Sequence, residues 1–470
     1  MRKTKIVCTI GPASETEKII TGLCKAGLNV ARLNFSHNTH EDHQRRIDLV
    51  KKVRSELKMP IAIMLDTKGP EYRIKTFENG KITLNDEDRF TFTTDDIIGD
   101  ETKVAVSYPN LPNELSVGDT ILLNNGLLTF EVVNIDGANI ECMVVIGGEL
   151  SDRKSMSFPG KVMKQKYLSE QDKKDIAFGV QNDVDYIACS FVSKKQDLID
   201  VHNYLKELNA DDIELIAKIE NQSGFDNIEE ICEECDGIMI ARGDMGVEIP
   251  FKMLPAIQKK LITKCRLLGK RVITATEMLE SMISNPRPTR AEISDIANAV
   301  YDGTSAITLS GETAAGKYPI ESVRTMAEIA ETTENNIHYN KRFLNAAFEI
   351  RDSVAAISHS TCGMAIDLNA KAIVACSLSG MTARMVSRFR SPVPILGLTT
   401  DERTWRRLAL SWGVIPAMCE RFSSTDVLFY TAKKIAEQEL SLDKGDKIII
   451  TGGDTSGTSG NTSLIKIENI

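Results

Sequence analysis

Eight short apolar runs in this chain each end in a cluster of polar residues, and long amphipathic stretches separate most of them. The runs are KIVCTIG (5–11), NVARLNFSH (29–37), IAIMLDTKGPE (61–71), YIACSF (186–191), LIAKIEN (215–221), GIMIARGD (237–244), RVITATE (271–277) and AITLSGE (306–312). Strand–helix units repeated eight times are the sequence form of a (β/α)8 TIM barrel, an α/β fold whose reactive residues sit at the C-terminal ends of its strands. The polar residues fall at those ends, so one pattern proposes both a fold and a site.

At 470 residues the chain is too long for one ordinary domain. Its first unit has a Gly11-Pro12 break and a Ser14/Glu17 pair with capping-box spacing, which predicts a helix from there to about Gly27. The third run does not lead into a helix. From 72 to 158 the chain becomes strand-rich, with Gly, Asn and Asp at short intervals, which predicts a small β-barrel inserted between barrel segments 1–71 and 159–338. Such an insertion can close over the barrel mouth as a lid. Residues 339–470 alternate strand and helix again and predict a C-terminal open α/β domain, with TGGDTSGTSGNTS (451–463) as an ordered loop between its last strands.

Bulk properties exclude several classes. A net charge of −9 argues against nucleic acid as a partner, because phosphate backbones need clustered Lys and Arg. No run approaches the roughly 18 apolar residues of a membrane span, and the N-terminus lacks the apolar core of a secretory signal. Ten cysteines without regular spacing read as reduced thiols of a cytoplasmic protein. The one CxxC, Cys232 and Cys235, has no second pair to complete a zinc site and precedes a strand rather than following one.

The chemistry concentrates at the strand ends. Lys218 and Glu220 are two apart on one strand and so face the same way. Asp244 follows the next strand, and two carboxylates on adjacent strand ends can hold Mg2+, or Mn2+, while leaving positions for water and phosphate. A structural ion-pair network is the alternative reading of these three residues. Arg32, Asn34, Ser36 and His37 end the second strand, Asp66 and Thr67 the third, and Thr276 the seventh. Arg32 suits phosphate because its planar fork pairs with two oxygens. The Asn, Ser, Asp and Thr oxygens suggest a monovalent cation. Gly311-Glu-Thr-Ala-Ala-Gly316-Lys317 imitates a P-loop, but Tyr318 stands where a metal-binding Ser or Thr is needed. His37, His40 and His43 recur at helical spacing, which surface histidines explain.

TKIVCTIGPAS, NVARLNFSH, LDTKGPEYR, ACSF, KIENQSG, DGIMIARGDMGVEIP, PRPTRAE and LSGETAAGKYP occur in this order, and on them the chain resembles the pyruvate kinase family over essentially its whole length. The resemblance implies phosphoryl transfer from phosphoenolpyruvate to ADP, giving pyruvate and ATP. It implies that Lys218 and Arg32 meet the transferring phosphoryl group, and that Glu220 and Asp244 hold Mg2+ with the Gly243 backbone and Thr276 completing the substrate pocket. Thr276 would lie near the face where the enolate is protonated. Asn34, Ser36, Asp66 and Thr67 would bind K+. Asn34, Phe35, Ser36, His37, Arg73 and Lys154 would meet the nucleotide. Glu71 resembles the K+-requiring members, since a Lys there carries its own charge in place of the ion.

The resemblance also implies a sugar-phosphate effector site at Ser377, Ser379, Gly380 and Thr382 with the facing Gly-rich loop around Gly457, although Leu378 replaces a Lys of some members. It further implies a compact three-domain bacterial-type enzyme assembled as a homotetramer. Glu277 departs from the family's Gln, and 163–167 (MKQKY) is more polar than the usual segment. Two other readings stand beside the kinase. One is a barrel lyase or aldolase with a Schiff base on Lys218, which needs that lysine depressed in pKa. The other is a non-catalytic sugar-phosphate sensor, which would tolerate loss of the metal carboxylates.

Overall fold

A computed structural model describes residues 1–161, 163–422, 424–453 and 461–470. The eight apolar runs form eight parallel strands, Lys5–Thr9, Val30–Asn34, Ala62–Asp66, Tyr186–Cys189, Glu214–Ile219, Gly237–Ala241, Arg271–Ala275 and Ala306–Leu309, closed in sequence order into one barrel. Alternation along each strand divides the residues between two cores. Ile6, Cys8, Ala31, Leu33, Ile63, Leu65, Leu215, Ala217 and Ile219 face the helices. Val7, Val30, Met64, Ile216, Met239 and Ile273 fill the interior. The inward parity continues toward the C-terminal rim as Thr9, Arg32, Asp66, Lys218 and Glu220.

The first helix, Glu17–Ala26, is capped by Thr16, not Ser14. The Ser14 hydroxyl instead accepts the Gly11 N–H at 3.0 Å, so it closes the preceding turn and is unavailable as a cap. After Asp66 the chain leaves the barrel and builds a seven-stranded sheet with a two-stranded companion between Tyr72 and Ser157. These share a core that includes Phe90, Phe92, Phe130 and Leu150. The chain re-enters the barrel through helix Glu170–Gln181, which carries a full capping box from Ser169 and Asp172.

The C-terminal sheet places strands Ala372–Cys376, Ile395–Thr399, Val414–Met418 and Lys447–Gly452 in parallel, with Leu464–Asn469 antiparallel at one edge. This unit stops the N-terminal end of the barrel. Its Leu410 joins the barrel's interior cluster. Arg406 pairs with Asp185 at 2.7 Å, and Arg384 reaches Glu214 at 2.9 Å and Asp236 at 3.1 Å. Lys270 and Arg390 donate to Cys235 and Gly303 carbonyls at helix C-termini, where the helix dipole favours cations. With the floor closed by buried ion pairs and an apolar plug, the C-terminal rim is the mouth left for ligands.

Candidate active site

Three inward residues converge at the rim. Lys218 Nζ lies 3.1 Å from Asp66 Oδ1 and 3.0 Å from Glu220 Oε1, and donates to Ser190 Oγ at 2.6 Å. Arg32 donates through Nε to Asp66 Oδ2 at 2.5 Å and through Nη1 to Thr9 Oγ1 at 2.7 Å. Asp66 thus sits between two cations. Burial alone would raise its carboxyl, but Arg32 and Lys218 overcome that and hold it below the usual range. For Lys218, burial pushes the ammonium down while Asp66 and then Glu220 push it up, and the carboxylates win. Lys218 therefore stays charged, the opposite of what a Schiff-base lysine requires.

Glu220 is raised, mainly by burial and against Lys218, with Asp244 adding to the rise. Its Oε2 accepts the Phe191 N–H at 2.6 Å. Its buried Oε1 touches Lys218 off the hydrogen-bonding direction and has no hydrogen-bond partner among the described residues. A buried carboxylate oxygen with an open lone pair, next to a second and exposed carboxylate on Asp244, is a donor set that suits a hard divalent cation.

Across the mouth, Thr276 Oγ1 accepts the Gly243 N–H at 2.8 Å and donates to the Ala275 carbonyl at 2.6 Å. Thr276 and Glu277 both have positive φ, 69° and 54°. Two such residues in a row, one of them β-branched, store about 1–3 kcal/mol of strain each and mark a turn held by its surroundings. The Glu277 side chain is exposed. Farther along, the Glu312 carboxylate accepts the Leu279 N–H at 3.0 Å and the Ser310 N–H at 2.7 Å. The segment that imitates a P-loop is thus a bracket for the Thr276 turn.

The remaining sequence-derived candidates divide. Asn34 lies in register with Asp66, and its Oδ1 accepts the Ser36 N–H at 3.0 Å. Thr67 Oγ1 accepts the Ser190 N–H at 3.1 Å. Glu71 binds Arg73 through Oε1, while its Oε2 is buried without a hydrogen-bond partner among the described residues. Arg73 also donates to the Arg153 carbonyl at 2.6 Å. Lys154, half-buried, accepts the Ile74 N–H through its carbonyl at 3.0 Å.

Phe35 puts its ring in the core, stacked on His43 with centroids 4.0 Å apart, so only its backbone is left for a nucleotide. His37 is exposed, while His40 bonds Asp175 and His43 bonds the His37 carbonyl, so the three histidines do not share a site. Cys232 and Cys235 are both buried, and Cys232 touches Cys265 at 3.8 Å. Ser377, Ser379 and Gly380 lie between strand Ala372–Cys376 and helix Met381–Ser387, with Gly380 at φ 78°, and Thr382 is in the first turn of that helix. Gly457 is outside the described residues.

The rim also uses residues that the sequence reading left without a role. Ser190 bridges Lys218, Asp66 and Thr67. It ends the fourth apolar run, so the strand-end rule pointed to it. Tyr167 donates its hydroxyl to the Ser190 carbonyl at 2.7 Å, which gives the unusual 163–167 segment one task. Thr9 and Arg242 also stand at strand ends of the first and sixth runs, but their partners come from distant segments, so no task for them was visible in the sequence.

His43 offers a direct check on how the 34–37 turn is held. Burial pushes its imidazole down to about 4, below the usual 6.5 or so, so the folded state favours the neutral ring. A depressed histidine stabilises the fold above its unfolded pKa, and that contribution is lost as pH falls toward the folded value. The thermal transition of the wild type is expected to fall more steeply between about pH 6.5 and 5 than that of His43→Leu. Parallel curves over that window would remove His43 as the cause.

Two cations around one buried carboxylate, beside a glutamate with an open oxygen at a barrel mouth, make a TIM-barrel site of the kind that phosphoryl transfer requires. Residues 1–323 match the family model for the pyruvate kinase barrel domain, and 355–468 match that for the pyruvate kinase alpha/beta domain. The chain is 46% identical over 471 aligned residues to a pyruvate kinase of Clostridium acetobutylicum, covering 100% of this chain and 99% of that one. It is 44% identical to a pyruvate kinase of Clostridium perfringens, with both chains covered in full. A solved pyruvate kinase from Cryptosporidium parvum superposes with a TM-score of 0.94 at 36% identity, covering 100% of this chain and 96% of that one. The chain belongs to the pyruvate kinase family. The lyase and sensor readings find no support among these relatives.

Proposed function

We propose that the rim carries out phosphoryl transfer from phosphoenolpyruvate to ADP, followed by protonation of the enolate to pyruvate. The observation that carries this is the sharing of Asp66 by Arg32 and Lys218. Both cations are held in place before substrate arrives, so they can meet phosphoryl charge without reorganising. Phosphoryl transfer asks mainly for positioning and charge neutralisation. Lys218 faces the oxygens of the transferring group from the barrel interior and Arg32 grips them from the second strand. The P–O bond to the enolate oxygen breaks as a β-phosphate oxygen of ADP takes the phosphorus. The enolate carbon then gains a proton at the Thr276 face.

Glu220 and Asp244 would hold Mg2+ or Mn2+, with the Gly243 backbone beside it, and the ion would supply neutralising charge to carboxylate and phosphate oxygens. Asn34, Ser36, Asp66 and Thr67 would hold K+. The strip from Asn34 through Phe35 and Ser36 to His37, with Arg73 and Lys154, would bind the nucleotide.

In this reading segments 1–71 and 159–338 are the catalytic barrel, 72–158 the lid and 339–470 the effector and assembly domain. Ser377, Ser379, Gly380, Thr382 and Gly457 would cradle a sugar phosphate, and the working form would be a cytoplasmic homotetramer. Among the described residues, no helix is long and apolar enough to cross a membrane.

The test is coupled pyruvate formation from phosphoenolpyruvate and ADP, with Mg2+ and K+ each present and omitted. Turnover that needs both ions supports the assignment. No turnover in any salt, even with sugar phosphates added, would return weight to the lyase and sensor readings.

A further inference from the structure

Arg242 is the first residue of helix Arg242–Glu248, whose next two residues are Gly243 and Asp244. Its side chain turns away from them and is almost fully buried, at 12% exposed. Nη2 donates to the Thr276 carbonyl at 2.6 Å, to the Glu277 carbonyl at 3.3 Å and to Met278 Sδ at 3.1 Å. Nε donates to the Ala275 carbonyl at 3.3 Å. Nη1 is anchored on Asp295 of helix Arg290–Asp302 at 2.8 Å, with Gln258 at 3.4 Å. One guanidinium therefore gathers three consecutive carbonyls of the turn that contains both left-handed residues.

From this geometry we infer that Arg242 is a positioning residue that sets where the Thr276 hydroxyl stands relative to Gly243 and Asp244. The inference rests on the proposed role of Thr276 at the enolate face. The backbone of Arg242 carries one half of the pocket and its side chain grips the other. The hydrogen bond from Gly243 N to Thr276 Oγ1 spans the same gap. Lysine cannot replace this fork, because an ammonium is a point donor and cannot reach three carbonyls and a carboxylate in one plane. A displacement near 1 Å at a reacting group costs about 10²-fold in rate.

The experiment measures kcat, KM for phosphoenolpyruvate, thermal midpoint, and exchange of pyruvate methyl hydrogens with solvent deuterium by NMR in the presence of Mg2+, K+ and ATP. Exchange reports proton transfer at the carbon, which a purely structural role would not single out. Arg242→Gln is expected to lower kcat by about 10- to 100-fold, to lower exchange by at least as much, and to leave KM within about threefold. Arg242→Lys should fall between it and the wild type. Asp295→Asn, which keeps the fork and loosens its anchor, should show the same pattern more weakly and serves if Arg242→Gln does not fold.

Thr276→Ala separates the two claims. If it leaves kcat and exchange unchanged, the reading of Thr276 fails. If it impairs exchange while the Arg242 and Asp295 variants match the wild type per folded molecule, the positioning role is overturned. The double variant Arg242→Gln/Thr276→Ala should lose no more exchange than Thr276→Ala alone, because both changes act through one hydroxyl.

Discussion

Lys218→Met is expected to lower kcat by about 10³- to 10⁵-fold, the range over which a cation aimed at a transferring phosphoryl group acts. The coupled assay at saturating phosphoenolpyruvate and ADP reads it. The charge balance of the rim sets the size of the effect. Lys218 is inward, nearly buried and held between Asp66 and Glu220. Methionine preserves most of the stem and removes the charge, so interior packing survives while the phosphoryl oxygens lose their partner.

The same substitution costs stability. Asp66 keeps Arg32, but Glu220 is left with the Phe191 N–H and no cation. Two buried carboxylates with one cation between them are less stable than with two. The variant is therefore expected to unfold at lower temperature than wild type, and added Mg2+ should recover more of its midpoint than it adds to the wild type. A variant that retains wild-type kcat would remove Lys218 from the mechanism. One that shows no Mg2+-dependent recovery would remove Glu220 from the metal seat.

Withholding K+ from the wild-type enzyme is expected to lower kcat by on the order of 10²-fold, the effect of removing one charge-stabilising group from a preorganised site. Glu71→Lys should recover much of that loss in K+-free buffer. The structure adds a cost to the exchange. Glu71 binds Arg73 and lies 3.7 Å from Lys68. A lysine at 71 would repel both and free Arg73 from its carboxylate. If Arg73 meets the nucleotide, KM for ADP should rise in the variant even as K+ dependence falls. Full activity of the wild type without K+ would discard the monovalent site, and an unchanged KM for ADP would separate Arg73 from the nucleotide.

Some of this architecture is local. Strand alternation depends only on backbone geometry, so Val30 and Arg32, Met64 and Asp66, and Ile216, Lys218 and Glu220 had to share faces once their runs became strands. Eight such runs with polar ends therefore disclosed the barrel and the contents of its rim. The same logic exposed the inserted strands through their turn residues.

Other features depend on segments that meet only when the barrel closes. Ser14 has the spacing of a cap, yet the folded turn uses its hydroxyl on Gly11 and leaves Thr16 to cap the helix. Phe35 sits in a polar motif, yet its ring is drawn into the core against His43. Ser190 becomes a bridge only because the third, fourth and fifth strands are neighbours. Arg242 stands at a strand end without a visible task, because half of its partners are backbone carbonyls 33 or more residues away, which have no side-chain signature. Which residues face inward at each strand end is written in the chain, because the two-residue repeat of a strand sets it. Which of them share a hydrogen bond, a charge or a strained turn depends on barrel closure, because those distances exist only after it.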